Sequence, residues 1–344
     1  MKPCFIIAEA GVNHNGSVDL ALQLIDVAAK SGADAVKFQS FKAEQLVSRQ
    51  AKTAQYQLDR TGVDDQHSML KKLEMSEDFH QQLFERCKTK NIEFMSTPFD
   101  IDSARYLIES GMERLKVPSG ELTNIPLLKA LCVFDKPIIL STGMASLEEV
   151  YDAVEAIRSE RIRLNLKGAL RDYLAILHCT SNYPARHEDV NLRAMTSLAE
   201  EFNLSVGYSD HTDGILVPVA AVAMGATVIE KHFTLDREMD GPDHKASLEP
   251  NELSEMVRQI RQIEVCLGTG EKKPSDSELP VRDLVRRSIT LASDIPANKP
   301  LREEDIILLR PGTGIPPKEL EKVLGRCLKV SGREGTQINW QDLI

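Results

Sequence analysis

Two lysines lie in or directly after short apolar segments, where an ammonium group is costly to place. Lys37 lies in AVKFQ and Lys116 in RLKVPSG. A buried cation loses its hydration, so it is retained where an anion offsets that loss. Similar segments end in the hydroxyl residues Thr97, Ser141 and Ser209. Amines and hydroxyls in this pattern indicate a pocket for a phosphate or carboxylate ligand.

Two histidines end two successive apolar segments. His211 belongs to VGYSDHT and His232 to VIEKHFT. If these segments are neighbouring strands, the two imidazoles can bind one divalent metal, completed by waters and substrate oxygens. Such a ligand set favours Mn²⁺, with Mg²⁺ or Co²⁺ as alternatives, over a closed structural zinc site. The alternative is that each imidazole is only hydrogen-bonded at the rim of a barrel.

Two glutamates, Glu9 and Glu121, are the candidate acid–base groups. A carboxylate near lysines and a metal usually has a lowered pKa, which suits a base better than an acid. Each carboxylate could instead be only the ion-pair partner of a lysine. Asp243, in the turn GPDH, could bind sugar hydroxyls or simply start the turn.

Eight short β-rich segments, which alternate with helical patterns, must position these residues. The expected strands are Cys4–Glu9, Ala33–Phe38, Ile92–Ser96, Arg114–Val117, Pro137–Ser141, Leu174–His178, Leu204–Tyr208 and Thr227–His232. The alternation predicts a closed (β/α)8 barrel, in which the carboxyl ends of all strands meet at one mouth. An open doubly wound sheet is the alternative, but no GxGxxG motif follows the first strand.

Several helices between these strands have recognisable ends. We expect one between Ser17 and Gly32, one after the capping box of Ser146 and Glu149, and one from Pro250 to Gly268. After the second strand, clear helical patterning resumes only near residue 75, so the segment 40–75 is a long connection. A long connection that leaves the carboxyl end of a barrel strand is a candidate substrate lid.

The chain is expected to divide into a barrel over 1–268, a linker over 269–285 and a small domain over 286–344. The linker is rich in Gly, Lys, Ser, Pro and Asp. In the small domain we expect strands over SITLA, DIILLR and RCLKV, and a helix over Pro317–Leu324. So small a domain buries little core by itself, so it is expected to dock on its own barrel or on a partner's.

Composition excludes several classes of protein. The 344 residues carry a formal net charge of −10, which argues against a nucleic-acid partner. Six cysteines without a CxxC pair indicate reduced thiols. The first apolar run is too short for a signal peptide, and the longest uncharged segment is too short for a membrane span. These features predict a soluble cytoplasmic protein.

The ordered motifs resemble those of the sialic acid synthases, which include N-acetylneuraminate synthase and the legionaminic and pseudaminic acid synthases. The resemblance spans the chain and is carried by IIAEAGVNHNG, AVKFQSFKA, FMSTPFD, KVPSGELTNIP, IILSTGMAS, LHCTSNYP, VGYSDHT, VIEKHFTLDREMDGPDHKAS and LRPGTGIPP. It implies a (β/α)8 TIM barrel followed by an antifreeze-like (SAF) domain that is swapped across a homodimer.

The resemblance also implies a reaction. Phosphoenolpyruvate would condense with N-acetylmannosamine and water to give N-acetylneuraminate, and phosphate would leave by C–O cleavage. A legionaminic acid synthase acting on 2,4-diacetamido-2,4,6-trideoxymannose is the alternative within the family. A Schiff-base aldolase with Lys37 or Lys116 as nucleophile is the mechanistic alternative, and a carbohydrate-binding scaffold is the non-enzymatic one.

The roles implied for individual residues follow the same motifs. The expected phosphoenolpyruvate contacts are Lys37, Thr97, Lys116, Ser119, Ser141 and Ser209. The expected metal ligands are His211 and His232. The expected amino-sugar contacts are Glu9, Gln39, Tyr183 and Asp243, and Ser181, at the sixth strand end, is a further candidate substrate contact. Glu121 would handle the proton of the attacking water, and Arg310 would reach the partner's site. Arg186 replaces a proline that is frequent in relatives.

Overall fold

The computed structural model describes residues 2–53, 58, 62 and 64–344, and the chain forms two compact units, Met1–Gly268 and Thr269–Ile344. The first unit contains eight parallel strands: β1 (Phe5–Gly11), β2 (Ala35–Ser40), β3 (Glu93–Pro98), β4 (Leu115–Val117), β5 (Ile138–Ser141), β6 (Leu174–Cys179), β7 (Ser205–Asp210) and β8 (Val228–His232). All eight predicted strands are confirmed, with ends shifted by no more than two residues.

The strands form a near-closed barrel. Hydrogen-bonded neighbours run in the order β3-β2-β1-β8-β7-β6-β5-β4, so the first and last strands of this unit, β1 and β8, pair with each other. β3 and β4 lie next to each other at the seam, where no ladder joins them in the described part of the chain. The predicted TIM barrel is therefore confirmed, and the doubly wound alternative is excluded.

The described helices of the first unit are α1 (Val18–Lys30), α2 (Ala43–Leu46), α3 (Gln66–Lys71), α4 (Glu77–Lys90), α5 (Ile101–Glu109), α6 (Ile125–Leu131), α7 (Leu147–Arg163), α8 (Arg193–Phe202), α9 (Leu216–Ala223) and α10 (Pro250–Leu267). Apart from α2 and α3, they pack around the outside of the barrel. Their ends follow local chemistry. Ser17 caps α1 through its hydroxyl, Ser146 and Glu149 form the predicted capping box of α7, and Pro250 begins α10.

Inside the barrel, one layer of apolar side chains fills the part nearer the amino ends of the strands. It consists mainly of Ile7, Ala35, Met95, Ile139, Leu177 and Val228, each buried and each from a different strand. Side chains alternate along a strand, so the residues between these point outward and pack against the helices. The layer closes the barrel from below and leaves the carboxyl ends of the strands as the site for chemistry.

The long connection after β2 is partly helical. It contains α2 and α3, and an apolar cluster of Val12, Phe41 and Leu73 lies beneath it. The predicted lid includes residues 54–57, 59–61 and 63, which lie outside the described residues.

The second unit has its own small core. Strands β9 (Ser288–Leu291) and β10 (Ile306–Leu309) confirm the strands predicted over SITLA and DIILLR, and they pair antiparallel. The stretch predicted as a linker contains α11 (Leu279–Val285), and α12 (Leu320–Val323) lies within the predicted helix. The strand predicted over RCLKV is wrong, since Cys327 and Leu328 form only single bridges, each to a different partner. Among the described helices, none is long and apolar enough to cross a membrane.

Candidate active site

The polar residues at the barrel mouth lie on the same strand faces as the apolar layer, two residues further along each strand. Glu9, Lys37, Thr97, Ser141 and Glu230 each lie two residues beyond a member of that layer, so they point inward one level higher. All five are buried. Lys116 on β4 and Ser209 on β7 join them.

Lys37 is held by two carboxylates. Its Nζ lies 2.7 Å from Glu9 Oε2 and 3.6 Å from Glu230 Oε2. It also donates a hydrogen bond of 3.0 Å to Thr97 Oγ1, and Gln39 Nε2 donates to the other oxygen of Glu9 at 3.3 Å. The predicted residues of the first three strands therefore form one hydrogen-bonded group.

Lys116 lies on the other side of Glu230. Its Nζ donates to Ser141 Oγ at 2.8 Å and lies 3.8 Å from Glu230 Oε1. Ser209 Oγ donates to the same glutamate oxygen at 3.1 Å. The two amines thus share the carboxylate of Glu230. An incoming anion could bind both amines in place of that carboxylate.

Glu230 was not among the predicted site residues. The signal was present in VIEKHFT, because Glu230 lies two residues before His232 and must face the same side of its strand. Burial alone would raise the pKa of Glu230, but Lys116 and Lys37 outweigh it and lower that pKa. Its charge therefore balances the lysines.

Glu9 differs from the expectation of a lowered pKa, which is wrong for this residue. Burial, opposed by Lys37 and reinforced by the charge of Glu230, raises the pKa of Glu9 to about 7. Burial also lowers the pKa of Lys116, whereas Glu230 and Glu9 overcome the effect of burial on Lys37 and raise its pKa. Glu9 is thus the carboxyl group of the cluster that can exchange a proton near neutral pH.

The two predicted metal ligands lie side by side. The ring centroids of His211 and His232 are 5.4 Å apart, with an interplanar angle of 53°. A ligating imidazole nitrogen lies about 2 Å from its metal, so two rings that share one ion have centroids within roughly 6.5 Å of each other. The pair therefore meets the distance requirement for a shared ion.

The hydrogen bonds of the two rings leave one nitrogen of each ring for a metal. His211 Nδ1 lies 2.8 Å from the carbonyl oxygen of Thr180, which can only accept, so Nδ1 carries a proton and Nε2 is the nitrogen left for a metal. Burial lowers the pKa of His211, but the neighbouring Cys179 outweighs burial and raises that pKa. His232 Nδ1 is buried without a hydrogen-bond partner among the described residues. Burial, followed by the charges of His211 and Lys37, holds the pKa of His232 well below its usual value. Two adjacent imidazole nitrogens fit a metal such as Mn²⁺.

No set of three or more His, Cys, Asp or Glu side chains converges as a metal cluster within the described ranges. The protein can therefore offer two nitrogen ligands, and waters or substrate oxygens would have to supply the remaining ones. That is the open coordination expected of a catalytic site rather than a structural one.

Ser119 and Ser181 meet around a glycine. Ser119 Oγ accepts a hydrogen bond of 2.9 Å from the backbone N–H of Gly143. A Cβ atom added to Gly143 would lie 2.2 Å from Ser181 Oγ and 2.8 Å from Ser119 Oγ. The loops after the fourth, fifth and sixth strands are thus packed against each other at a point where only glycine fits.

We predict that Gly143→Ala lowers the specificity constant for substrate about 10-fold or more, since both serine oxygens must move, that of Ser181 by about 1 Å. Steady-state kinetics and a thermal melt measure it. Gly120→Ala is the matched control, because a Cβ there meets no described atom within 4 Å. Equal activity of the two variants would contradict a role for this packing.

The remaining predicted residues are placed at different distances from this centre. The Tyr183 ring contacts the His211 ring with centroids 4.1 Å apart and an interplanar angle of 42°. Asp243 is buried in the turn beyond β8. Glu121, half-buried after β4, accepts a hydrogen bond of 2.6 Å from Asn124 Nδ2. Arg310 is exposed in the second unit, so its predicted contact stays a prediction.

Arg186, the departure from the motif, is exposed and forms an ion pair with Glu188. It therefore belongs to the surface of the loop after β6, and its charge is partly balanced there.

Comparison with known proteins gives a consistent result over the whole chain. Residues 24–272 match the model of the NeuB family, and residues 286–344 match the SAF domain. The chain is 52% identical to the N,N'-diacetyllegionaminic acid synthase of Legionella pneumophila, over 99% of this chain and 94% of that protein. It is 50% identical to the enzyme of the same name from Campylobacter jejuni, over 97% and 98%.

More distant relatives have related names. Human N-acetylneuraminate-9-phosphate synthase is 33% identical, over 98% of this chain and 91% of that one. Among solved structures, the N-acetylneuraminic acid synthetase of Leptospira borgpetersenii, in complex with citrate, is 37% identical with a TM-score of 0.71, over 81% of this chain and 90% of that one.

Proposed function

Since the chain belongs to the NeuB family and carries a SAF domain, we propose that it is a nonulosonate synthase. It condenses phosphoenolpyruvate with 2,4-diacetamido-2,4,6-trideoxymannose and water, and it releases N,N'-diacetyllegionaminate and phosphate. Two relatives, 52% and 50% identical to this chain over nearly its full length, are named N,N'-diacetyllegionaminic acid synthase. This reverses the order of the two sugars in the sequence analysis.

An N-acetylneuraminate synthase that uses N-acetylmannosamine is the second candidate. The Leptospira structure, an N-acetylneuraminic acid synthetase, supports it. The chemistry at the reacting carbons is the same for both sugars, so the choice depends on the far end of the sugar.

The observation that carries the proposal is the barrel mouth itself. Two buried amines, Lys37 and Lys116, and three hydroxyl groups face the same space as the two imidazoles. The carboxylate and phosphate of phosphoenolpyruvate would pair with the amines and hydroxyls in place of Glu230. An anion held in this way has its reacting carbon fixed in orientation, which supplies much of the rate enhancement.

His211 and His232 would hold the divalent metal, with Mn²⁺ as the first choice and Mg²⁺ or Co²⁺ as alternatives. Such an ion polarises a sugar aldehyde and makes its carbon electrophilic. Tyr183, whose ring contacts both imidazoles, lies beside the same space and would limit how the sugar enters.

Carbon 3 of phosphoenolpyruvate forms a bond to the aldehyde carbon, the aldehyde oxygen takes up a proton and becomes a hydroxyl group, and carbon 2 becomes an oxocarbenium ion. A water oxygen then bonds to carbon 2, and Glu121 accepts one proton of that water. The second proton passes from the new hydroxyl group to the departing phosphate as the bond between carbon 2 and the phosphate oxygen breaks and carbon 2 becomes a ketone. Glu9, with its pKa raised to about 7, is suited to exchange a proton with a sugar hydroxyl.

The sugar is tested by phosphate release. We predict a specificity constant about 100-fold higher for 2,4-diacetamido-2,4,6-trideoxymannose than for N-acetylmannosamine, since a site that hydrogen-bonds an amide rejects analogues that lack it. Phosphoenolpyruvate without sugar is the control and should release no phosphate. A higher value for N-acetylmannosamine would select the second candidate, and no release with any N-acetylated hexose would favour the carbohydrate-binding scaffold.

A Schiff-base aldolase is the mechanistic alternative, and Lys116 is the relevant residue because burial lowers its pKa. The proposal predicts no covalent adduct when borohydride is added during turnover. A peptide in which Lys37 or Lys116 carries a substrate-derived mass would overturn it.

The domain-swapped homodimer, with Arg310 completing the partner's site, is also part of the proposal, as is the cytoplasmic location. Mixing His211→Ala with Arg310→Ala protein tests the dimer. Each variant should be weakly active alone, and the mixture should regain up to about a quarter of wild-type activity, because exchange of protomers yields one intact site in some dimers. No regain after exchange would argue against the swap.

A further inference from the structure

A buried ion pair lies directly behind the two histidines. Lys231 on β8 is 0% exposed and Asp210 on β7 is 1% exposed, and their Cα atoms are register partners in the β7–β8 ladder. Lys231 Nζ lies 2.5 Å from Asp210 Oδ2. Ser209 and Glu230 point into the barrel, so strand alternation places Asp210 and Lys231 on the outer face of the wall.

Thr212 closes this network. Its hydroxyl lies 3.0 Å from both oxygens of Asp210, its backbone N–H donates to Asp210 Oδ1 at 3.2 Å, and its carbonyl accepts from Lys231 Nζ. We call Asp210, Thr212 and Lys231 the outer clamp. Both oxygens of the Asp210 carboxylate have partners within the clamp, and all three members are buried.

The position of the clamp along the strands gives it a consequence for the site. His211 follows Asp210 and precedes Thr212, so the backbone of His211 is held on both sides. His232 directly follows Lys231. One ion pair therefore links the two backbone segments that carry the imidazoles, one residue below the point where the imidazoles face each other.

A gain in folding stability alone does not explain a buried ion pair at this position. The desolvation of two charges offsets most of their attraction, and an apolar pair of similar volume is often as good or better. What an ion pair adds is a defined distance and direction, which packing of methyl groups specifies less sharply. The neighbouring contacts have the same effect, since the carbonyl of His211 accepts from the Ala185 N–H at 2.8 Å.

We infer that the outer clamp positions His211 and His232 for a shared divalent metal, so that Asp210, Thr212 and Lys231 are positioning residues of the metal site. The inference rests on the proposed function, because it needs the two imidazoles to bind a metal. The clamp touches neither metal nor substrate, so its effect is on metal affinity and geometry, and not on the binding of phosphoenolpyruvate to Lys37 and Lys116.

The experiment measures Mn²⁺ binding to the whole protein by calorimetry. In the double variant Asp210→Asn/Lys231→Met, which removes both charges at similar volume, we expect the Kd for Mn²⁺ to rise about 10- to 100-fold, as for other groups that orient metal ligands. The visible absorption of bound Co²⁺ should shift as well, because it reports ligand geometry. Affinity for phosphoenolpyruvate, measured without metal, should stay within about twofold of wild type.

Arg114→Met/Glu93→Gln is the matched control. That ion pair, 2.6 Å long, joins β3 and β4 near the amino ends of their strands, far from the imidazoles. It should leave the Kd for Mn²⁺ unchanged. If the double variant at the clamp fails to fold, Thr212→Val removes only the hydroxyl and should still raise the Kd several-fold.

Three outcomes separate the possibilities. If wild type binds Mn²⁺, His211→Ala abolishes binding and the clamp variants bind as wild type does, the inference is wrong and the proposed metal site stands. If phosphoenolpyruvate affinity falls as much as Mn²⁺ affinity, the clamp stabilises the barrel in general and the inference is also wrong. If wild type binds no divalent metal, the metal site and the inference fall together.

Discussion

Replacing His211 or His232 by alanine is expected to lower kcat about 1000-fold and to remove bound metal. Each imidazole offers a nitrogen lone pair on the same side of the barrel mouth, and the described residues supply no third His, Cys, Asp or Glu ligand. Electrophilic activation by a metal is worth several kcal/mol, which corresponds to about three orders of magnitude in rate. Phosphate release and metal content of the purified variants are the measurements.

His187→Ala is the control for this pair, because His187 is exposed in the loop after β6 and contacts neither ring. It should keep both its metal and its rate. Wild-type activity that survives thorough chelation, or a His232→Ala variant with a normal rate, would show that the imidazoles serve another purpose.

Replacing Lys37 by methionine is expected to lower kcat/KM for phosphoenolpyruvate about 100- to 1000-fold, since truncating one member of a buried charged contact costs about 2–5 kcal/mol. Two effects contribute. The anion loses its partner, and Glu9 and Glu230 are left with one cation fewer in a space that excludes water. Lys116→Met should behave similarly through Glu230 and Ser141.

A double variant separates these effects. Lys37→Met/Glu230→Gln restores the charge balance, so its thermal stability should recover much of what Lys37→Met loses. Its affinity for phosphoenolpyruvate should remain low, because the amine itself is missing. Recovery of affinity in the double variant would mean that Lys37 acts only through net charge. Lys136→Met, at the amino end of the barrel and paired with Glu113, should be unchanged in both respects.

The eight strands of the barrel, and the polar residues that they bring to one mouth, could be predicted from the sequence. Each strand is a short apolar run that ends in polar residues, and each cap is a local pattern such as Ser146 with Glu149. A parallel barrel turns these linear patterns into a common mouth, because all carboxyl ends lie on one side. The prediction of a strand over RCLKV is wrong because an apolar run does not show whether a partner strand lies beside it.

The amino-acid order by itself determined which residues face the interior, because the two-residue period of a strand is a property of the backbone. Only the closed barrel decided how those residues combine. Glu230 on β8 lies between Lys37 on β2 and Lys116 on β4, burial raises the pKa of Glu9 to about 7, and β7 lies beside β8 so that His211 faces His232. Distances and pKa values of this kind depend on register and dehydration between distant segments, and no local pattern encodes them.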